Sequence, residues 1–213
     1  MSDINLTADD HRRALGFLTA DETLRLGDSG VRILDPHSAL VSAGVALDPG
    51  VIVYPGVLLE QDADSSITIG AGTRLYPGTC VLASAGGSVA VGAGCQLGPG
   101  GVQVKANAAG AQIRIGDGVR LLNGCEVVGA SQIGKGGQLI GAIAAQSVQL
   151  EGGLGGWEWP DPDQRGAVLK GAGLARGLQL EMGQVMNLQP SFADVPIEAQ
   201  RTYHPGASRS ARG

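Results

Sequence analysis

The chain has 213 residues, of which 36 are glycine, with 43% apolar and only 3% aromatic content and a formal net charge of −5. That length allows one domain with a sizeable core, and the acidic balance argues against a nucleic-acid partner or an anionic membrane. No apolar run reaches transmembrane length, Met1-Ser-Asp-Ile-Asn-Leu-Thr7 lacks a signal peptide's basic and apolar regions, and three cysteines read as free thiols in a reducing compartment. A cytoplasmic protein is expected.

Residues 1–30 stand outside any repeat. Thr7-Ala-Asp-Asp10 offers a helix cap followed by acidic residues, and Ala14, Leu15, Phe17 and Leu18 give that helix an apolar side. Glu22 falls at the capping-box position after Thr19, which marks a second helical turn. A helical cap over the open end of a repeat structure is predicted.

From Val41 to Leu150 the chain keeps a six-residue beat. Its anchors are Leu47, Val53, Leu59, then Ile69, Leu75, Val81, then Val91, Leu97, and finally Ile115, Leu121, Val127, Ile133, Leu139 and Ala145. Glycine stands three residues after most anchors, and the next residue is small or branched, as at Val51, Thr73, Cys95 and Cys125. A hexad is too short for a hairpin or a helix pair but fits one short strand and one turn. Such a unit cannot bury its own apolar side, so copies must stack into a parallel β-solenoid. An all-β domain over 31–192 is predicted.

Gly30-Val-Arg-Ile-Leu-Asp-Pro-His37, followed by hexads with Asp48-Pro-Gly50 and Tyr54-Pro-Gly56 corners, resembles the opening of a known domain. It is similar to the acetyltransferase domain of bacterial bifunctional N-acetylglucosamine-1-phosphate uridyltransferases, within the wider hexapeptide-repeat acyltransferase family. The resemblance implies a left-handed parallel β-helix of three hexads per coil, a homotrimer, and acetyl-CoA or another acyl-CoA held between subunits. It also implies a sugar-phosphate or nucleotide-sugar acceptor. The handedness comes from the resemblance alone, because general crossover geometry favours the opposite hand.

Three breaks in the beat, at 60–66, 82–88 and 105–112, fall on one corner of successive coils and predict a stacked ridge of insertions bounding a cleft or a tolerated surface edge. The count that aligns them places Gln103 as the third anchor, with Val102 or Val104 as the alternative if the strand slips. The ridge is acidic at Glu60, Asp62 and Asp64 and basic at Lys105 and Arg114. Residues 151–167 interrupt the beat with glycines, prolines and both tryptophans, Trp157 and Trp159, which are expected either to pack at an interface or to cover a ligand. Anchors resume at Val168, Leu174, Leu180, Met186 and Phe192, and residues 193–213 read as an extended tail.

Acyl transfer needs a base within hydrogen-bond reach of the acceptor. The resembled enzymes use a histidine on a middle coil, but this chain has none from Ser38 to Tyr203. The candidate bases are therefore His204, His37, Asp117 and Glu126. Lys105, Asn107, Arg114, Arg120 and Asn123 are candidate substrate contacts, Lys105 and Asn107 by a faint likeness to the family's Lys-Asn pair. Lys135, Arg165, Lys170 and Arg176 are candidate partners for coenzyme phosphates. No metal is expected, since Cys95 and Cys125 lie at inward positions and no histidine cluster accompanies them. Two functions fit: an acyl-CoA-dependent acyltransferase, or an inactive scaffold or regulatory subunit of a separate sugar nucleotidyltransferase.

Overall fold

The computed structural model describes residues 6–191. Two short helices, α1 (Ala8–Ala14) and α2 (Ala20–Arg25), precede the strands. Each begins in a capping box: the Thr7 and Thr19 hydroxyls accept from the amides of Asp10 and Glu22, whose carboxylates reach back to the Thr7 and Thr19 amides. Arg12 donates to the Pro36 and Ala39 carbonyls, and Phe17 bridges to Ser42, so the helices are clamped over the first coil. Among the described residues, no helix is long and apolar enough to cross a membrane.

The rest is a left-handed parallel β-helix. Among the described residues, sheet I has eight strands, from Arg32–Ile33 to Val185–Leu188; sheet II has seven, from Leu40–Val41 to Gly173–Arg176; sheet III has seven, from Ala46–Leu47 to Gln179–Leu180. Each strand pairs in parallel with the strands one coil away. The anchors therefore stack as inward columns: Val53, Leu75, Leu97, Leu121 and Leu139 in sheet I, and Ile69, Val91, Ile115, Ile133 and Leu150 in sheet III, all buried. Each such side chain contributes roughly 1.5–3 kcal/mol of burial. The corner residues are small because the corner is narrow, and the buried threonines Thr73 and Thr79 are hydrogen-bonded there. The Thr73 hydroxyl donates to the Gly92 carbonyl at 2.9 Å and accepts from the Cys95 amide at 3.0 Å.

The breaks in the beat do stack on one corner, between sheets II and III, but they are not loops. Most of the added residues lengthen the flanking strands to four residues each, Leu58–Gln61 with Ser66–Ile69 and Cys80–Ala83 with Ser88–Val91, leaving only short turns. The added strand positions alternate inward and outward, so Ile67, Ala83, Val89 and Ala106 extend the core into a thin fin. Main-chain pairing along the fin satisfies amides that a loop would leave to water.

The third anchor is Val104, one of the alternatives the sequence left open, and not Gln103. Gln103 pairs with Cys80 and points outward, while Val104 pairs with Val81 and is fully buried. The shift comes from an additional residue in the preceding corner, Gly98-Pro99-Gly100-Gly101, where earlier coils have Tyr-Pro-Gly-Thr or Tyr-Pro-Gly-Val. After the 151–167 excursion the register moves likewise. Leu169 pairs with the inward Leu139 and Ala175 with the inward Ala145, which turns Val168 and Leu174 outward; Leu174 is 58% exposed. Leu180 and Met186 keep inward positions, and Phe192 lies outside the described residues.

Candidate functional site

The three outward faces differ in chemistry. Sheet II presents Leu58, Cys80, Leu82, Val128 and Ala144, half-buried, around one ion pair between Lys105 Nζ and Glu126 Oε1 at 2.9 Å. Sheet III presents Thr68, Ala90, Arg114, Gln132, Gln149 and Gln179. Sheet I presents Arg74, Gln96, Arg120 and Gln138. Polar side chains thus gather where sheets III and I meet.

Two concavities flank that corner. On the sheet III side a shallow groove of about 480 Å³ is lined by Arg114, Asp117, Gln132 and Lys135 over Gly92, Gly116 and Gly134. The glycines are set by coil stacking: a Cβ on Gly92 would sit 2.4 Å from Asp117 Oδ1, on Gly116 2.6 Å from the Lys135 amide, and on Gly134 2.2 Å from the Gly152 amide. The result is a floor without side chains. Asp117 Oδ1 accepts from the Ala93 amide at 2.8 Å, which fixes the carboxylate at the groove's edge. Arg114 donates to Gln112 at 2.8 Å, and Lys135 to the Leu154 carbonyl at 3.1 Å.

On the sheet I side a cleft of about 440 Å³ lies between Arg74, Gln96 and Arg120 and the tip of the 151–167 excursion, Gly156-Trp157. The Arg120 guanidinium carbon lies 4.2 Å from the Trp157 ring centre. The excursion is tied down by its own bonds: Trp159 Nε1 donates to Gln164 at 3.2 Å and Arg165 Nε to the Trp159 carbonyl at 2.6 Å. Its base closes through glycine contacts, since a Cβ on Gly153 would meet the Gly166 amide at 2.4 Å.

The groove brings together Asp117, Arg114 and Lys135, one from each predicted role. The other candidates are scattered. His37 sits in the first corner between sheets I and II, at the helical end, with its amide donating to Asp35. Glu126 and Lys105 neutralise each other on sheet II, Asn107 is at the tip of the fin, and Asn123 holds a corner at φ 62°. Lys170 and Arg176 flank a separate apolar cavity of about 220 Å³ near the last coil, and Arg165 is engaged inside the excursion. The four candidate coenzyme-phosphate cations therefore do not share one groove. His204 lies outside the described residues. Trp157 and Trp159 are 39% and 38% exposed, one covering Arg120 and the other packed within the excursion against Gly155.

Arg74 and Gln96 escaped the sequence reading. Each stands one residue before an inward leucine, as Arg120 does, so a column-by-column count would have aligned them. Among the described residues no three His, Cys, Asp or Glu side chains gather closely enough to hold a metal. Burial pushes the Cys95 thiol up to about 11 and the Cys125 thiol up to about 12, so both behave as core residues.

No protein-family model matches the chain, and no curated protein does. Among solved structures, PerB from Caulobacter crescentus, in complex with CoA and GDP-perosamine, matches at 20% identity with a TM-score of 0.18. The match covers 73% of this chain and 57% of that one, so the chain spans little more than half of PerB. A similarity this slight carries over no site residue.

Proposed function

We propose that the protein is a cytoplasmic acyltransferase that takes an acyl group from coenzyme A, with the Arg114–Asp117–Lys135 groove as the place where donor and acceptor meet. The observation that carries this reading is the groove itself, two cations and one carboxylate gathered over a floor without side chains. Arg114 and Lys135 suit the phosphates of the carrier, and the glycine floor suits a slender extended arm. Among the described residues Asp117 is the one carboxylate lining the groove, and it acts as the base. It takes the proton from an acceptor amine or hydroxyl as that group attacks the thioester carbonyl. The C–S bond then breaks, and the leaving thiolate takes that proton from Asp117, which returns the carboxylate to its starting state. The acceptor is of sugar-phosphate or nucleotide-sugar type, as the resemblance implies. Three copies associate through sheet II, whose aliphatic outward side chains a neighbour would cover.

A second reading is an inactive scaffold or regulatory subunit partnering a sugar nucleotidyltransferase. It is favoured by the position of the described imidazoles, His11 on α1 and His37 in the first corner, both at the helical end and away from the groove. Calorimetric titration with acetyl-CoA, alongside light scattering, separates the two. The acyltransferase reading expects one coenzyme per subunit of a trimer. Asp117→Asn keeps the bond from the Ala93 amide and should leave that binding unchanged while slowing transfer by about a hundredfold or more. Absence of heat at millimolar coenzyme would leave the scaffold reading standing alone.

A further inference from the structure

The cleft under Trp157 has the features of a built anion site, and nothing in the acyl-transfer reading uses it. Arg74, Gln96 and Arg120 are partners on consecutive rungs of sheet I, all facing outward. Adjacent strands lie about 4.8 Å apart, so the two arginine backbones are separated by roughly 10 Å, a span their side chains can close from both sides. Arg120 is held rather than free. Its Nε and Nη1 donate to Gln96 Oε1 and Gln138 Oε1, each at 3.4 Å, and the Trp157 ring covers one face of the guanidinium.

All of these partners are neutral. Among the described residues the ion pairs are Arg13 with Glu22 and Lys105 with Glu126, so neither Arg74 nor Arg120 has a carboxylate partner. The nearest acid along the chain from Arg120, Asp117, is turned to the Ala93 amide on the other side of the corner, and Glu158 does not line the cleft. Two positive charges beside an aromatic roof, Arg120 held and Arg74 exposed, are therefore left without a carboxylate partner among the described residues. Its floor is open for a separate reason. Gly72 and Gly94 have φ of 70° and 63°, which excludes most side chains, and a Cβ on either would meet nothing within 4 Å. The space is there and the charge is there.

We propose that this cleft binds a phosphate-bearing small molecule, with the phosphate held between Arg74 and Arg120. Guanidinium groups match phosphate oxygens in a planar two-point geometry, and Arg120, already held by neutral amides, loses little freedom on binding. Trp157 is a positioning residue: its cation–π contact keeps Arg120 facing the cleft. The site stands whether or not the groove across the corner accepts an acyl donor.

Trp157 reports directly on occupancy. With Trp159→Phe it becomes the only tryptophan in the chain, and its emission can be followed during titration with inorganic phosphate, pyrophosphate and a nucleoside diphosphate at constant ionic strength. Because Trp159 braces the excursion, the same titrations are repeated calorimetrically on the unaltered protein. Saturable binding is expected, weakened about tenfold or more by Arg74→Gln and by Arg120→Gln, retained in part by Arg120→Lys, and unchanged by Arg25→Gln at the helical end, outside both concavities. Equal affinity for phosphate and the nucleotide assigns the site to the phosphate alone; tighter nucleotide binding adds the ring. Non-saturable responses, or affinities indifferent to Arg74→Gln, would overturn the proposal, and either result leaves the acetyl-CoA titration of the groove to be judged by itself.

Discussion

The register of the third fin strand makes a sharp test, because two neighbouring residues are assigned opposite faces. Val104 is fully buried between Val81 and Val127, whereas Gln103 faces solvent beside Cys80 and Glu126. Val104→Ala removes two methyl groups' worth of apolar contact, about 1.6 kcal/mol at roughly 0.8 kcal/mol each. The prism cannot collapse locally, since strands above and below hold its walls. A residual cavity on the order of 40 Å³ adds about 1 kcal/mol, for a total near 2.5 kcal/mol. Gln103→Ala should stay within about 0.5 kcal/mol of the parent. Urea denaturation at one fixed protein concentration reads both, as midpoint shifts with an unchanged slope. Equal losses, or a larger loss for Gln103→Ala, would refute the register and the account of the Gly98–Gly101 corner behind it.

Two glycines can be set against each other in the same way. Gly134→Ala forces a Cβ to 2.2 Å from the Gly152 amide and should cost several kcal/mol, while Gly72→Ala meets open space and pays only for its φ of 70°, about 1–2 kcal/mol; similar melting temperatures would contradict the stacking argument. Thr19→Ala removes a cap and should destabilise by about 1 kcal/mol in thermal melts. The Glu22 carboxyl is held below its ordinary value of 4.5 by the Thr19 amide and hydroxyl, then by Arg13. A depressed acid contributes stability above its unfolded value and loses it as pH falls through the folded one, so acid titration should soften the parent helix and leave Glu22→Gln flatter. Iodoacetamide at mildly alkaline pH should spare Cys95 and Cys125 in the folded protein and label both after denaturation, as read by mass spectrometry; rapid native labelling of either would contradict their burial.

Much of the fold was legible because the hexad beat is a burial pattern. An inward aliphatic every six residues, with glycine to turn the corner, leaves few arrangements besides a stacked coil. The errors arose where one residue was added without changing that pattern locally. Gly101 moved Gln103 off the core, and the excursion after Leu150 moved Val168 and Leu174, because strand alternation converts a shift of one into a change of face. The site was less legible. Asp117, Arg114 and Lys135 stood out as charged residues near corners, but their convergence depends on which coil lies over which. Arg74 was invisible for the same reason, since its significance lies in having Gln96 and Arg120 on the next two rungs.

The sequence by itself determined the architecture: the period fixes where the chain turns, and the apolar side of each hexad has nowhere to go except against its copies. Only the tertiary structure decided the chemistry of each face. Stacking turns residues about one coil apart into neighbours roughly 4.8 Å away, and the small changes in coil length that set those columns leave almost no mark on a six-residue beat.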